Sequence, residues 1–228
     1  MKFSEEAAHN VMNKHYAIFD MDGTLIDSMM YWKHLAEEFL ESKGVTQISE
    51  DILEKIKPMT MTESAALFRQ EFSLNGTPES IAMEMNAMMD EHYHKNIPLK
   101  SGVKEYLDFL YQKGVQMCVV SATAEPLMEA CLKRLDILKY FCFLLSCETV
   151  GAGKDKPDAY LAAAKQLGAS PADSAVYEDA LYAVKTAKNA GFYVIGVYDE
   201  SAEKNWNDIE NLADETIRSY YVLNFPVI

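Results

Sequence analysis

The stretch YAIFDMDGTLIDS, residues 16–28, decides how the chain is read. Four apolar or aromatic residues run straight into Asp20. A second carboxylate, Asp22, follows, then Gly23, Thr24 and a third acid, Asp27. A short apolar run bounded by a polar turn predicts a buried parallel strand that ends on acids. Similar runs recur downstream: VQMCVV (115–120), FCFLL (141–145), AVY (175–177) and FYVIGV (192–197). Between them the apolar period changes to that of a helix. Val103, Leu107 and Leu110 share one face, and Ala180, Ala183, Val184 and Ala187 share another. Alternating strands and helices predict an α/β sandwich with crossover helices.

Residues 30–97 read differently, as helices with no convincing strand. Trp32, Leu35, Ala36, Phe39 and Leu40 form one apolar face, and Gly44 is a plausible stop. TMTE (60–63) has capping-box spacing ahead of Met61, Ala65, Phe68 and Phe72. Thr77 and Pro78 suit the start of a third helix, with Ile81, Met85, Met88 and Met89 turned inward. The organisation expected is an α/β core from residues 1–29 and 98–228, with a helical block, 30–97, inserted between its first strand and the rest.

The 228 residues are 49% hydrophobic, enough for a packed core. No run of about 18 apolar residues suggests a transmembrane helix. The stretch MKFSEEAAHN (1–10) is too acidic and polar for a signal peptide. Cys118, Cys131, Cys142 and Cys147 include no CxxC pair and read as reduced thiols of a cytoplasmic protein. The net charge of −14 argues against nucleic acid and anionic membrane as partners. An anionic substrate would need a local cationic site, most simply a metal ion and a lysine.

Open parallel sheets bind ligands at the carboxyl ends of their strands. Those ends bring together Asp20-Met21-Asp22-Gly23-Thr24, then Ser121-Ala122-Thr123, then GAGKDKPDAY (151–160), then Glu178-Asp179. Asp20, Asp22, Glu178 and Asp179 offer hard oxygen ligands of the kind that suit Mg²⁺. Ser121 precedes a helix opening at AEPLMEA, where a hydroxyl and backbone N–H groups suit a phosphate. Lys154 suits neutralising a phosphoryl oxygen or restraining a carboxylate. A carboxylate can attack phosphorus, and a second one can exchange the proton of the leaving oxygen and the attacking water.

DMDGTLIDS resembles the first motif of the haloacid dehalogenase (HAD) superfamily of phosphohydrolases. VVSAT, GKDKPDAY and VYEDALYAVKTAKNAG follow in the family's order, so the likeness covers nearly the whole chain. It is strongest to the helical-cap subfamily, which holds many small-molecule phosphatases and β-phosphoglucomutase. The resemblance implies a Rossmann-like parallel-sheet core with an inserted α-helical cap. It implies Asp20 as nucleophile, Asp22 as general acid/base and Lys154 as the motif-three lysine. Ser121 would bind phosphate, with Ala122, Gly23 and Thr24 beside it. Glu178 and Asp179 would hold Mg²⁺ together with the Asp20 carboxylate and the Asp22 backbone carbonyl. Asp27 would steady the loop.

There are departures from the pattern. Ala180 and Ala183 replace the usual Ser and Gly of the fourth motif, and Asp155 replaces the Pro after the lysine, which makes Lys156 a rival. The spacing GK-x-x-PD-x-Y favours Lys154. GAGK is not a P-loop, since Glu148 and Asp155 stand where Gly and Ser/Thr are required. His92 and His94 read as a solvated pair in a helix, and the methionines of the insert as packing residues.

The activity expected is Mg²⁺-dependent removal of phosphate from a small phosphorylated metabolite, such as a sugar phosphate. A β-phosphoglucomutase-like transferase is the alternative. Mutases carry an arginine in the first cap loop after a Gly-x-Ser-like turn, but KPMTMTES (57–64) has Met61 and Pro58 there. A silent phospho-ligand binder would have no need of both Asp20 and Asp22. Tyr31, Trp32, His34, Lys57 and Arg69 are the candidate substrate selectors. A monomer or weak homo-oligomer is expected.

Overall fold

The computed structural model describes residues 14–223. The signal-peptide reading of residues 1–10 falls outside them. Six parallel strands form one sheet in the order β3-β2-β1-β4-β5-β6. They are β1 (Tyr16–Phe19), β2 (Gln116–Ser121), β3 (Phe141–Ser146), β4 (Ser174–Glu178), β5 (Tyr193–Val197) and β6 (Glu215–Ile217). The core is therefore an α/β, Rossmann-like sheet, as the alternation of runs predicts. Side chains of one strand alternate between faces. Phe19, Val119 and Tyr177 enter one apolar core, while Ile18, Val120 and Val176 enter the other. Both faces are dry, which explains why these strands read as continuous apolar runs.

The first face is covered by α5 (Val103–Gln112) and α6 (Glu125–Arg134). The second is covered by α8 (Asp158–Leu167), α9 (Leu181–Asn189) and α10 (Trp206–Leu212), with the one-turn α7 (Cys147–Val150) beside them. Among the described residues, no helix is long and apolar enough to cross a membrane. The four cysteines are free, and only Cys142 is exposed.

Between β1 and α5 lie four helices: α1 (Met29–Ser42), α2 (Glu50–Ile56), α3 (Met61–Phe72) and α4 (Pro78–Lys95). The capping boxes at Thr60/Glu63 and Thr77/Ser80 are formed, the first at the spacing read from the sequence. Leu35, Phe39, Phe68 and Met85 of this insert belong to the same apolar cluster as Phe19 and Leu107 of the core. Insert and core thus share one hydrophobic cluster.

One reading needs correction, and two elements leave no signal in the sequence. FCFLL is not a fully buried strand, because β3 lies at the sheet edge with Cys142 exposed. The helix α2 has no fully buried residue, so it left no apolar stripe to read. The strand β6 has only three residues, two of them polar.

β1 lies at the centre, between β2 and β4. The chain builds outward through β2 and β3, then crosses to the far side of β1 for β4. This reversal places the topological switch point at the carboxyl end of β1, where such sheets bind ligands.

Candidate active site

Asp20 is the residue that leaves β1, and its backbone N–H donates to the Tyr177 carbonyl at 3.0 Å. Strand register puts Glu178 of β4 at the height of Asp20, and Ser121 one residue further along β2. Lys154, from the loop before α8, donates to Asp20 Oδ1 and, at 2.6 Å, to Glu178 Oε1. Tyr160 Oη, one turn into α8, donates to the same Glu178 oxygen at 2.6 Å. Asp20, Lys154, Glu178 and Asp179 are all at least 95% buried. Lys156, the rival lysine, is exposed.

Burying like charges together is costly unless a counter-charge is present. Burial pushes the Asp20 carboxyl up to about 8; Lys154 opposes the rise, and Glu178 and Asp22 add to it. Burial also raises Asp179, reinforced by Asp20 and Glu178. For Lys154 burial acts in the lowering direction, but the adjacent Asp20 and Glu178 outweigh it and hold the ammonium protonated.

One oxygen from each of Asp20, Glu178 and Asp179 lies within 4.8 Å of the others. With all three ionised, the carboxylates around one ammonium would leave two negative charges uncompensated, the same crowding that adds to burial in raising Asp20 and Asp179. Asp20 Oδ2 is buried and has no hydrogen-bond partner. An all-oxygen donor set, an excess of negative charge and an orphaned carboxylate oxygen together fit a hard divalent cation such as Mg²⁺.

Gly23 makes the geometry possible. It has φ +86°, and a Cβ there would lie 2.9 Å from Asp179 Cγ, closer still to Oδ2, and 3.0 Å from Met29 Cγ. The turn closes through Leu25 N–H and Ile26 N–H, both donating to the Met21 carbonyl. It aims Thr24 Oγ1 at Asp179 Oδ1, 3.2 Å away.

Asp22 faces the other way. Oδ1 accepts from Ser28 Oγ (2.7 Å), Trp32 Nε1 (2.9 Å) and Tyr93 Oη (2.7 Å). Oδ2 accepts from Thr123 Oγ1 (2.7 Å) and Ser121 Oγ (3.2 Å). Ser28 sits at the N-cap of α1 but makes no side-chain cap bond there. Ser121 Oγ also accepts from the Thr123 N–H at 3.0 Å. Half-buried Ala122 lies between them, ahead of α6. Asp27 is exposed, and its N–H donates to the Pro98 carbonyl where the chain returns from the insert.

Of the five proposed selectors, only Trp32 reaches these residues. Arg69 Nε donates to the Gly76 carbonyl at the distal turn between α3 and α4. Lys57 Nζ pairs with Glu54, although its carbonyl accepts from Tyr182 Oη of the core at 2.5 Å. Tyr31 and His34 line a groove of about 250 Å³ between α1 and α4, with His92 against the Tyr31 ring. His94 pairs with Asp90.

Sequence reasoning places Thr123 at the end of β2 but gives it no role, and it assigns none to Tyr93, Ser28 or Tyr160. Tyr93 lies between the two histidines that were weighed. Extending the Ile81, Met85, Met89 stripe by one more step of four would have found it.

Comparisons with known proteins place the chain in a family. The model of the haloacid dehalogenase-like hydrolase family matches residues 17–197. The chain belongs to that family. A phosphorylated carbohydrates phosphatase from Thermotoga maritima is 28% identical over 176 residues, 76% of this chain and 80% of that protein. A β-phosphoglucomutase from Bacillus subtilis is 28% identical over 191 residues, 79% and 81% of the two chains. A haloacid dehalogenase-like hydrolase from Bacteroides fragilis has the same fold. Its TM-score is 0.77 at 22% identity, covering 92% of this chain and 99% of that one.

Proposed function

We propose that this hydrolase is a Mg²⁺-dependent phosphatase that removes phosphate from a small phosphorylated metabolite, a sugar phosphate by class, through a phosphoryl group carried on Asp20. The observation that carries the reading is the orphaned Asp20 Oδ2 beside Glu178 and Asp179, with Lys154 on the other oxygen. The phosphatase and mutase relatives of similar coverage support the substrate class.

In this reading one Asp20 oxygen bonds to phosphorus while the bridging P–O bond breaks. Asp22 gives its proton to the leaving oxygen, then takes one from the water that attacks the Asp20-bound phosphoryl group. Lys154 orients Asp20 and offsets charge on the transferring group. Ser121, with the backbone of Ala122 and the Gly23-Thr24 turn, would bind the phosphoryl oxygens. Asp20, Glu178 and Asp179, with the Asp22 carbonyl, would hold Mg²⁺, which when bound would offset the charge of carboxylates and phosphate together. Residues 30–97 would act as a cap, excluding water from the first step and selecting the leaving group.

The test is phosphate release from 4-nitrophenyl phosphate and from a panel of sugar phosphates, with Mg²⁺ or with chelator. Release that needs Mg²⁺ and disappears in Asp20→Asn supports the reading. No turnover of any ester at saturating Mg²⁺ would sink it. Conversion of a sugar 1-phosphate to its 6-phosphate without phosphate loss would make the protein a mutase instead.

A further inference from the structure

Five donors converge on the Asp22 carboxylate, whereas a carboxylate offers about four lone-pair sites. The shell around it is saturated, and its members differ in kind. Ser28, Tyr93, Ser121 and Thr123 contribute hydroxyls, which can turn from donor to acceptor. Trp32 contributes an indole N–H, which can only donate. An oxygen that faces a donor-only group cannot carry a proton towards it. Trp32 thus keeps one lone pair of Oδ1 occupied as an acceptor, whereas Oδ2 faces only hydroxyls that can turn to accept, so Oδ2 is the better-placed oxygen for a proton on Asp22. That oxygen faces Ser121 and Thr123 at the end of β2, the side on which the phosphate would sit.

Two of the donors stand on the insert rather than the core. Trp32 is on α1 and Tyr93 on α4, and their rings meet edge to face, 6.1 Å between centroids. Tyr93 is fully buried, and its Oη also lies 3.2 Å from Thr123 Oγ1. The end of α4 is tied to the core by Arg134 of α6, which donates to the Tyr93 carbonyl at 2.9 Å and to the Ile97 carbonyl. Asp22 thus takes its orientation from groups on both sides of the boundary between insert and core.

We propose that Trp32 and Tyr93 are positioning residues for proton transfer. They fix Oδ1 of Asp22, direct the proton to Oδ2, and make acid catalysis conditional on the insert being seated on the core. This rests on the role given to Asp22 above. In the first step the Asp20–phosphorus bond forms, the bridging P–O bond breaks, and the Oδ2 proton passes to the leaving oxygen. In the second, water bonds to phosphorus, its proton returns to Oδ2, and the Asp20–phosphorus bond breaks.

The first proton matters in proportion to the basicity of the leaving oxygen. Phenyl phosphate and 2,4-dinitrophenyl phosphate share the aryl ring but differ widely in the basicity of the leaving oxygen, and only the first needs a proton to leave. The ratio kcat/KM reports events up to the first irreversible step, so it isolates this transfer. In Trp32→Phe and Tyr93→Phe, kcat/KM for phenyl phosphate should fall at least about 10-fold further than for the dinitrophenyl ester, part of what general acid catalysis supplies. Added to Asp22→Asn, either change should cost almost nothing more. Equal losses on both esters, no loss on either, or full additivity with Asp22→Asn would overturn the proposal. Using two variants at separate positions guards against one that fails to fold, as read by circular dichroism melting. If the unaltered enzyme turns over neither ester with Mg²⁺, the phosphatase reading fails first, a result distinct from equal losses in the variants.

Discussion

Replacing Gly23 with alanine separates backbone strain from damage to the acid cluster. The residue has φ +86°, a conformation that costs an L-residue about 1–2 kcal/mol. At about 2–4 °C per kcal/mol for a chain of this size, strain alone lowers Tm by roughly 2–8 °C. The second effect is local. The new Cβ would fall 2.9 Å from Asp179 Cγ and closer to Oδ2, so the carboxylate must shift from the position in which Thr24 Oγ1 holds it. If Asp179 helps hold Mg²⁺, the half-saturating Mg²⁺ concentration for phosphate release rises on the order of 10–100-fold, as it does when a ligand's support is lost. Gly44 is the control. It has φ +83° with nothing within 4 Å of its Cβ position, so Gly44→Ala should lose similar stability and keep the Mg²⁺ response. The assay is a Mg²⁺ titration of 4-nitrophenyl phosphate hydrolysis beside a thermal melt. A Gly23→Ala enzyme with the unaltered Mg²⁺ response would refute the reasoning.

Two further perturbations probe the buried charges. Lys154→Met leaves Asp20 and Glu178 without their cation; in chelator, urea unfolding should show a loss of about 3–5 kcal/mol, and a loss below about 1 kcal/mol would contradict the ion-pair account. Glu215 tests pH linkage away from the site: burial holds its carboxyl above the ordinary 4.5, only partly offset by the bond from Tyr193 Oη. A raised folded-state pKa gives stability that is fully present below the unfolded value and lost as pH rises through the folded one. The Tm of the unaltered protein should therefore fall relative to Glu215→Gln as the pH rises above about 4.5, and a difference constant with pH would contradict this.

What could be read in the sequence was local or periodic. YAIF ends where β1 ends, because a buried central strand must be apolar on both faces and its terminus must be polar. The order of motifs brought Asp20, Lys154, Glu178 and Asp179 together, since each follows an element that the parallel topology aligns. Pairing across the sheet was not legible: FCFLL looks as apolar as a central strand, although it lies at the edge. The environment of Asp22 was the least legible part. Its partners come from positions 28, 32, 93, 121 and 123, and only tertiary packing puts α1 and α4 over the end of β2. Arg69 shows the converse, a cation in the insert whose side chain is spent on the Gly76 carbonyl.

The central claim is that phosphate passes through Asp20. It is tested most directly by mixing the enzyme with Mg²⁺ and a turnover-competent ester, quenching in acid within one turnover, and mapping peptides by mass spectrometry. The account predicts a phosphoryl adduct on the peptide that carries Asp20, absent after Asp20→Asn and more abundant after Asp22→Asn if the second step is slowed more than the first. An enzyme that releases phosphate at full rate with no adduct on that peptide, or one that stays active as Asp20→Asn, would contradict it.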